Sequence, residues 1–197
     1  MNLSHPTVSI IPSLTGYVLE VLAGTSRPLS GREVHRLLPK KASQYGVQKV
    51  LDALAEQGVV HQQETGATIL NSLNPDHILT PTIHALARVR SQIIPEIADV
   101  VEDEAPDLHQ ALVFGSVARN EADEQSDVDL LLVWPDETSD AVRANTGAAI
   151  SRRVTNLLGN ECRPLHYSIT EFDNLKEVAP DLARAVEGDS IELLVVT

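Results

Sequence analysis

Apolar positions in the first half of the chain repeat at helical spacing, and in the last third they gather into short runs between helical stretches. Leu14, Val18, Val21 and Leu22 predict a helix from Ser13, a cap behind Pro12, to Ala23, with residues 24–28 ending it. Ser30 and Glu33 have the spacing of a capping box and open a second helix with Val34, Leu37 and Leu38 inward, which Pro39 stops. A third helix runs from near Ser43 through Val47, Val50, Leu51 and Leu54 to Gly58. Residues 59–70 read as two strands turning at Glu64, Thr65 and Gly66. Beyond Pro75, Ile83, Leu86, Val89, Ile93, Ile97, Val100 and Val101 predict one or two helices over 78–101, which Pro95 should kink or divide.

The pattern then changes. An acidic connector over 102–107 leads to two apolar runs, 111–114 and 130–134, which predict strands separated by a turn and a short helix. A helix over 138–158 ending at Gly159, a third strand over 163–170, a helix over 171–187 and a last strand over 191–196 complete the chain. No internal repeat or low-complexity segment interrupts it.

Composition narrows the setting. No apolar run approaches the ~18 residues of a membrane span, and the N-terminus lacks the basic and apolar regions of a secretory signal. Cys162 is the single cysteine, which excludes an intramolecular disulfide framework and a multi-cysteine zinc site. A reducing cytoplasm is the expected location. The net charge of −13 is unevenly spread: residues 1–80 hold six basic and six acidic side chains, so all the excess acid follows residue 80. An acidic C-terminal half is a poor polynucleotide binder, whereas the N-terminal half is not excluded.

Candidate chemistry lies between the two apolar runs. Asp127 and Asp129, at i and i+2 of a strand, project from one face, and paired carboxylates of this kind suit a hard divalent cation such as Mg²⁺. Gly115 permits close backbone approach to a ligand, and Ser116 offers a hydroxyl beside a helix N-terminus that favours anions. Gly115, Ser116, Ala118 and Arg119 followed by Ser126, Asp127, Asp129 and Leu130 resemble the signature of the DNA polymerase beta type nucleotidyltransferases, in their small prokaryotic (MNT-like) branch. The resemblance implies transfer of a nucleoside monophosphate, AMP from ATP above all, to a protein or small-molecule hydroxyl. Asp127 and Asp129 would hold Mg²⁺, while Gly115, Ser116, Arg119 and Ser126 would bind the nucleotide.

Three short helices followed by a hairpin resemble a winged helix-turn-helix domain, carried by element order and no local signature. In such a domain the third helix enters the major groove by its first residues, here Ser43, Gln44, Tyr45, Gln48 and Lys49, with Lys40 and Lys41 placed for phosphate contacts. The expected fold is therefore α+β: a winged helix-turn-helix over 1–80, a helical connector over 81–107, and a nucleotidyltransferase α/β domain with a mixed sheet over 108–197. The connector is also a candidate homodimer seam.

One feature departs from the family pattern. Active members carry a third carboxylate on a later strand, and residues 163–170 contain none. Glu161, just before that strand, and His166, within it, are the candidate substitutes. The expected function is an Mg²⁺-dependent nucleotidyltransferase with a DNA-binding winged helix, antitoxin-like and autoregulatory, with a partner toxin protein as one acceptor. The alternative is a transcriptional regulator whose degenerate transferase domain senses a nucleotide.

Overall fold

The computed structural model describes residues 1–38 and 42–195. The chain divides into two compact units, residues 5–90 and residues 91–197 with 1–4.

The first unit opens with α1 (Pro6–Ile10) and α2 (Leu14–Ala23), followed by β1 (Leu29–Ser30), α3 (Gly31–Leu37) and α4 (Gln44–Glu56). The capping box forms in full: Ser30 Oγ accepts from Glu33 N at 3.3 Å, and the Glu33 carboxylate accepts from Ser30 N at 2.8 Å. These bonds and Arg27 hold the Glu33 carboxyl down at about 2. β2 (Val60–Thr65) and β3 (Thr68–Leu73) form the hairpin, closing through Gly66 at φ +60° and Ala67. The turn thus sits two residues later than its expected start at Glu64. β1 adds a third strand on β3, in the order β1-β3-β2. Val18, Leu22, Leu29, Val34, Val47 and Leu51 fill the core, so α2, α3 and α4 each turn one apolar stripe toward the hairpin.

α5 (Thr80–Glu104) is a single helix and contains the unit boundary at residues 90 and 91. Pro95 lies inside it and does not divide it: the ring is exposed, while Ile93 and Ile97 on either side are anchored in the core. A lost backbone bond on an outer face is offset by burial on the inner one.

The second unit continues with β4 (Gln110–Phe114), α6 (Gly115–Ala118), β5 (Val128–Trp134), α7 (Asp140–Leu158) and β6 (Cys162–Ser168). Instead of the one helix expected over 171–187, three short helices follow: α8 (Ile169–Asp173), α9 (Leu175–Val178) and α10 (Pro180–Asp189). Pro180, without a backbone N–H, begins α10 where a continuous helix would have needed that donor. β7 (Ile191–Val195) ends the described chain.

The sheet is mixed, in the order β6-β5-β4-β7, with β5 and β6 parallel and the other pairs antiparallel. Val128, Leu130, Leu132 and Trp134 of β5 pack on one face with Ile97, Val101, Ile150 and Val154; Leu131 and Val133 pack on the other with Leu112, Phe114 and Val186. Each face has its own apolar layer, so the register of β5 is tightly set.

Candidate active site

The alternation of β5 places the carboxylates. Val128 is fully buried, and Asp127 and Asp129 on either side of it turn away from its core. Asp129 is half-buried. Burial, and then the adjacent Asp127 charge, push its carboxyl above the ordinary value, with Arg163 and Arg119 opposing.

β4 brings the glycine to the same place. Phe114 pairs with Asp129, so Gly115 follows directly beside that carboxylate. Its φ is +72°, and a Cβ added there would lie 2.7 Å from Asp129 Oδ2. Only glycine meets both conditions. Ser116 follows in α6, a single turn whose first amides have no carbonyl within the turn to bond. Its hydroxyl makes no hydrogen bond among the described residues.

Arg119 caps α6. Its Nε donates to Glu121 Oε2 at 2.9 Å and its Nη1 lies 3.6 Å from Asp189 Oδ2, so two carboxylates share its charge. Ser126 Oγ donates to Asp123 Oδ1 and accepts from Asp123 N, both at 2.9 Å. That hydroxyl closes the loop that delivers Asp127.

β6 supplies a residue that the sequence reading passed over. The parallel register sets Arg163 beside Asp129. Its guanidinium spans Asp127 Oδ2 at 2.8 Å and Glu161 Oε2 at 3.0 Å. Where a third carboxylate was sought there is a guanidinium, and Glu161 joins the group only through it. An arginine on this strand has no place in the pattern of proton acceptors and metal ligands, so only its position beside the carboxylates marks it.

His166, the other candidate substitute for the missing carboxylate, lies apart from this group. It pairs in register with Leu132, on the opposite face from Asp129. There His166 Nδ1 accepts from Trp134 Nε1 at 3.1 Å, and the ring lies against Gly147 of α7, where a Cβ would come within 2.2 Å of its Cε1. Burial, and then Arg143, lower its pKa below the ordinary value.

Magnesium is the cation that the sequence implies. Asp127 and Asp129 offer hard oxygen ligands, and a cation between them would offset both the burial and the neighbouring Asp127 charge that raise the Asp129 carboxyl. No cluster of three or more His, Cys, Asp or Glu suited to a metal occurs among the described residues. Two carboxylates as the protein's donors fit a divalent ion completed by nucleotide oxygens and water, as Mg²⁺ accepts.

In the first unit, α4 presents Gln44, Tyr45 and Lys49 to solvent, with Lys49 Nζ 5.1 Å from the centre of the Tyr45 ring. Ser43 is the N-cap and its hydroxyl accepts from Gly46 N at 3.0 Å. Gln48 Nε2 donates to Asp52 Oδ1 at 2.8 Å, and Gln62 Nε2 of the hairpin donates to the same atom at 3.0 Å. A groove of about 650 Å³ lies between Arg32, Gln44, Gln48 and the hairpin tip. Lys40 and Lys41 lie outside the described residues.

Comparison with known proteins follows the same division. Residues 94–184 match the family model of the nucleotidyltransferase domain, and residues 14–73 match that of the TBPIP/Hop2 winged helix domain. No curated protein matches the chain significantly. Among solved structures, a toxin–antitoxin with AMP-PNP is 16% identical over 53% of this chain and 74% of its own, with a TM-score of 0.39. A putative nucleotidyltransferase from Sulfolobus solfataricus is 20% identical over 52% of this chain and 79% of its own, with a TM-score of 0.33. TrmBL2, an archaeal chromatin protein, is 15% identical over 94% of this chain and 78% of its own, with a TM-score of 0.32. No helix among the described residues is long and apolar enough to cross a membrane. The chain is thus a winged helix domain followed by a nucleotidyltransferase domain with a four-stranded mixed sheet.

Proposed function

We propose that the second unit transfers a nucleoside monophosphate, AMP from ATP in the first instance, to an acceptor oxygen on a protein or small molecule. The observation that carries this is the contact of Gly115 with Asp129, which sets a phosphate-accommodating turn directly against a carboxylate pair. In the mechanism, Gly115 and Ser116 receive the triphosphate, the backbone coming close because no Cβ intervenes. Asp127 and Asp129 would hold Mg²⁺, whose chemistry there is to neutralise charge on the transferring phosphate. Arg163 holds Asp127 and Glu161 in place at the edge of the site. The winged helix places this activity on operator DNA through Gln44, Tyr45 and Lys49, and a partner protein is one acceptor.

The ion pair between Arg163 and Asp127 favours a second reading, a nucleotide sensor that binds without turnover. Incubation with α-³²P-ATP and Mg²⁺ in cell lysate, beside an Asp127→Ala/Asp129→Ala variant, separates the two. Label on a macromolecule with wild type only supports transfer. No label, with a melting temperature still raised by ATP and Mg²⁺, supports the sensor.

A further inference from the structure

Across the carboxylates from the phosphate-binding turn, the site presents a cation, and among the described residues each carboxylate near it is paired with it or is one that would hold the metal. The order β6-β5-β4 puts Asp129 between Gly115, at the end of β4, and Arg163 on the edge strand β6. A triphosphate received at Gly115 leaves the acceptor to approach past Arg163. The groups there that could take a proton from a hydroxyl are Asp127, Asp129 and Glu161: Arg163 pairs with Asp127 and Glu161, and Asp129 is the second carboxylate that would hold the cation. His166 faces the other side of the sheet. Asp127 is also one of the two carboxylates that would hold the cation, and a carboxylate so engaged leaves Arg163 one partner short. The Arg163 side chain is 57% exposed, with its fork at the surface. A guanidinium fork matches the oxygens of a carboxylate or a phosphate.

We propose that the acceptor attacks with an anionic oxygen, of a carboxylate or a phosphate monoester, that docks on Arg163. The inference rests on the transferase reading and replaces the hydroxyl which the sequence resemblance implies. Both kinds of group are largely ionised at neutral pH, so the step needs no base. One acceptor oxygen forms a bond to the α-phosphorus. The bond from that phosphorus to the oxygen bridging to the β-phosphorus breaks, and pyrophosphate leaves with the electron pair. No proton moves. The product is an acyl nucleotide from a carboxylate or a pyrophosphate-linked conjugate from a phosphate.

Three probes on one skeleton test this with the full chain: glycerol, glycerate and glycerol 3-phosphate, each with α-³²P-ATP and Mg²⁺. Label should pass to the charged probes and not to glycerol. Hydroxylamine should release it from glycerate, and phosphatase should leave the glycerol 3-phosphate product intact, which tells the two sources apart. Loss of a charge-assisted contact predicts that Arg163→Met raises KM for a charged probe about 10- to 100-fold, and Arg163→Lys should recover only part of it. Arg163→Asp should shift use toward glycerol. Calorimetry gives a readout without turnover: glycerol 3-phosphate or glycerate should bind wild type in the presence of a non-hydrolysable ATP analogue and Mg²⁺, and not Arg163→Met. Arg163 is exposed, so melting curves should show these variants folded.

Equal use of glycerol, label on a probe's hydroxyl, or charged probes handled equally by Arg163→Met would overturn the inference and leave the transferase reading standing. Wild type that neither labels nor binds a charged probe overturns it as well. The transferase reading falls only if the lysate labelling also fails.

Discussion

Gly115→Ala tests the junction of the two halves of the site. The substitution imposes two costs. At φ +72° an L-residue is strained by ~1–2 kcal/mol, which for a chain of this size corresponds to roughly 2–8 °C in melting temperature. The new Cβ also starts 2.7 Å from Asp129 Oδ2, and moving to ordinary contact at 3.4 Å requires a shift of 0.7 Å. Asp129 is half-buried beside Asp127, so the carboxylate is the part that gives. A displacement approaching 1 Å in a positioned group costs up to ~10²-fold in rate. Gly66→Ala is the control, because its φ of +60° brings similar strain with nothing within 4 Å of the added carbon. Melting curves with and without ATP and Mg²⁺ should show both variants less stable and only Gly115→Ala deprived of the nucleotide-induced rise. A Gly115→Ala protein with a wild-type nucleotide response would refute the placement of Gly115 against Asp129.

Three further outcomes follow from the same geometry. Because the Asp129 carboxyl is raised in the folded state, its ionised form is the costly one, and metal-free protein should gain stability as pH falls through that raised value toward 3.8. Asp129→Asn should therefore melt higher than wild type at pH 7, with the advantage fading over that window, and should lose its response to ATP and Mg²⁺; a lower melting temperature at pH 7 would contradict this. Glu33 has the opposite sign: its stabilisation is present above its ordinary 4.5 and is lost as pH falls through about 2, so Glu33→Gln should flatten the acid dependence of the first unit's unfolding in that range. In gel shifts on the upstream promoter, Lys49→Ala should reduce the salt slope by about one, Tyr45→Ala should weaken binding, and an unchanged shift in both would remove α4 from the interface.

Much of this fold follows from local pattern. The spacing of Ser30 and Glu33 was enough to place the start of α3, because both bonds of the box are made within four residues. The apolar positions of α4 and the pairing of Asp127 with Asp129 are likewise consequences of a single helix or strand period. α1 and the two-residue β1 are too short to show a period. Leu3 joins the core of the second unit, and Ser4 N donates to Ala122 O at 2.9 Å. That pairing spans more than a hundred residues and has no local signature. The site divides in the same way. Alternation along β6 separates Arg163 from His166, but which of them meets Asp129 depends on the phase of β6 against β5, set by Val128 pairing with Cys162. Only that register shows that the cation faces the carboxylates and the imidazole does not.

The most direct test of the site itself is a calorimetric titration of a non-hydrolysable ATP analogue into the protein, with Mg²⁺ and with EDTA, beside Asp127→Asn/Asp129→Asn. Binding by wild type that requires Mg²⁺ and vanishes in the double variant is the predicted result. Binding that survives loss of both carboxylates, or that is indifferent to Mg²⁺, would contradict a metal–nucleotide site at the head of β5.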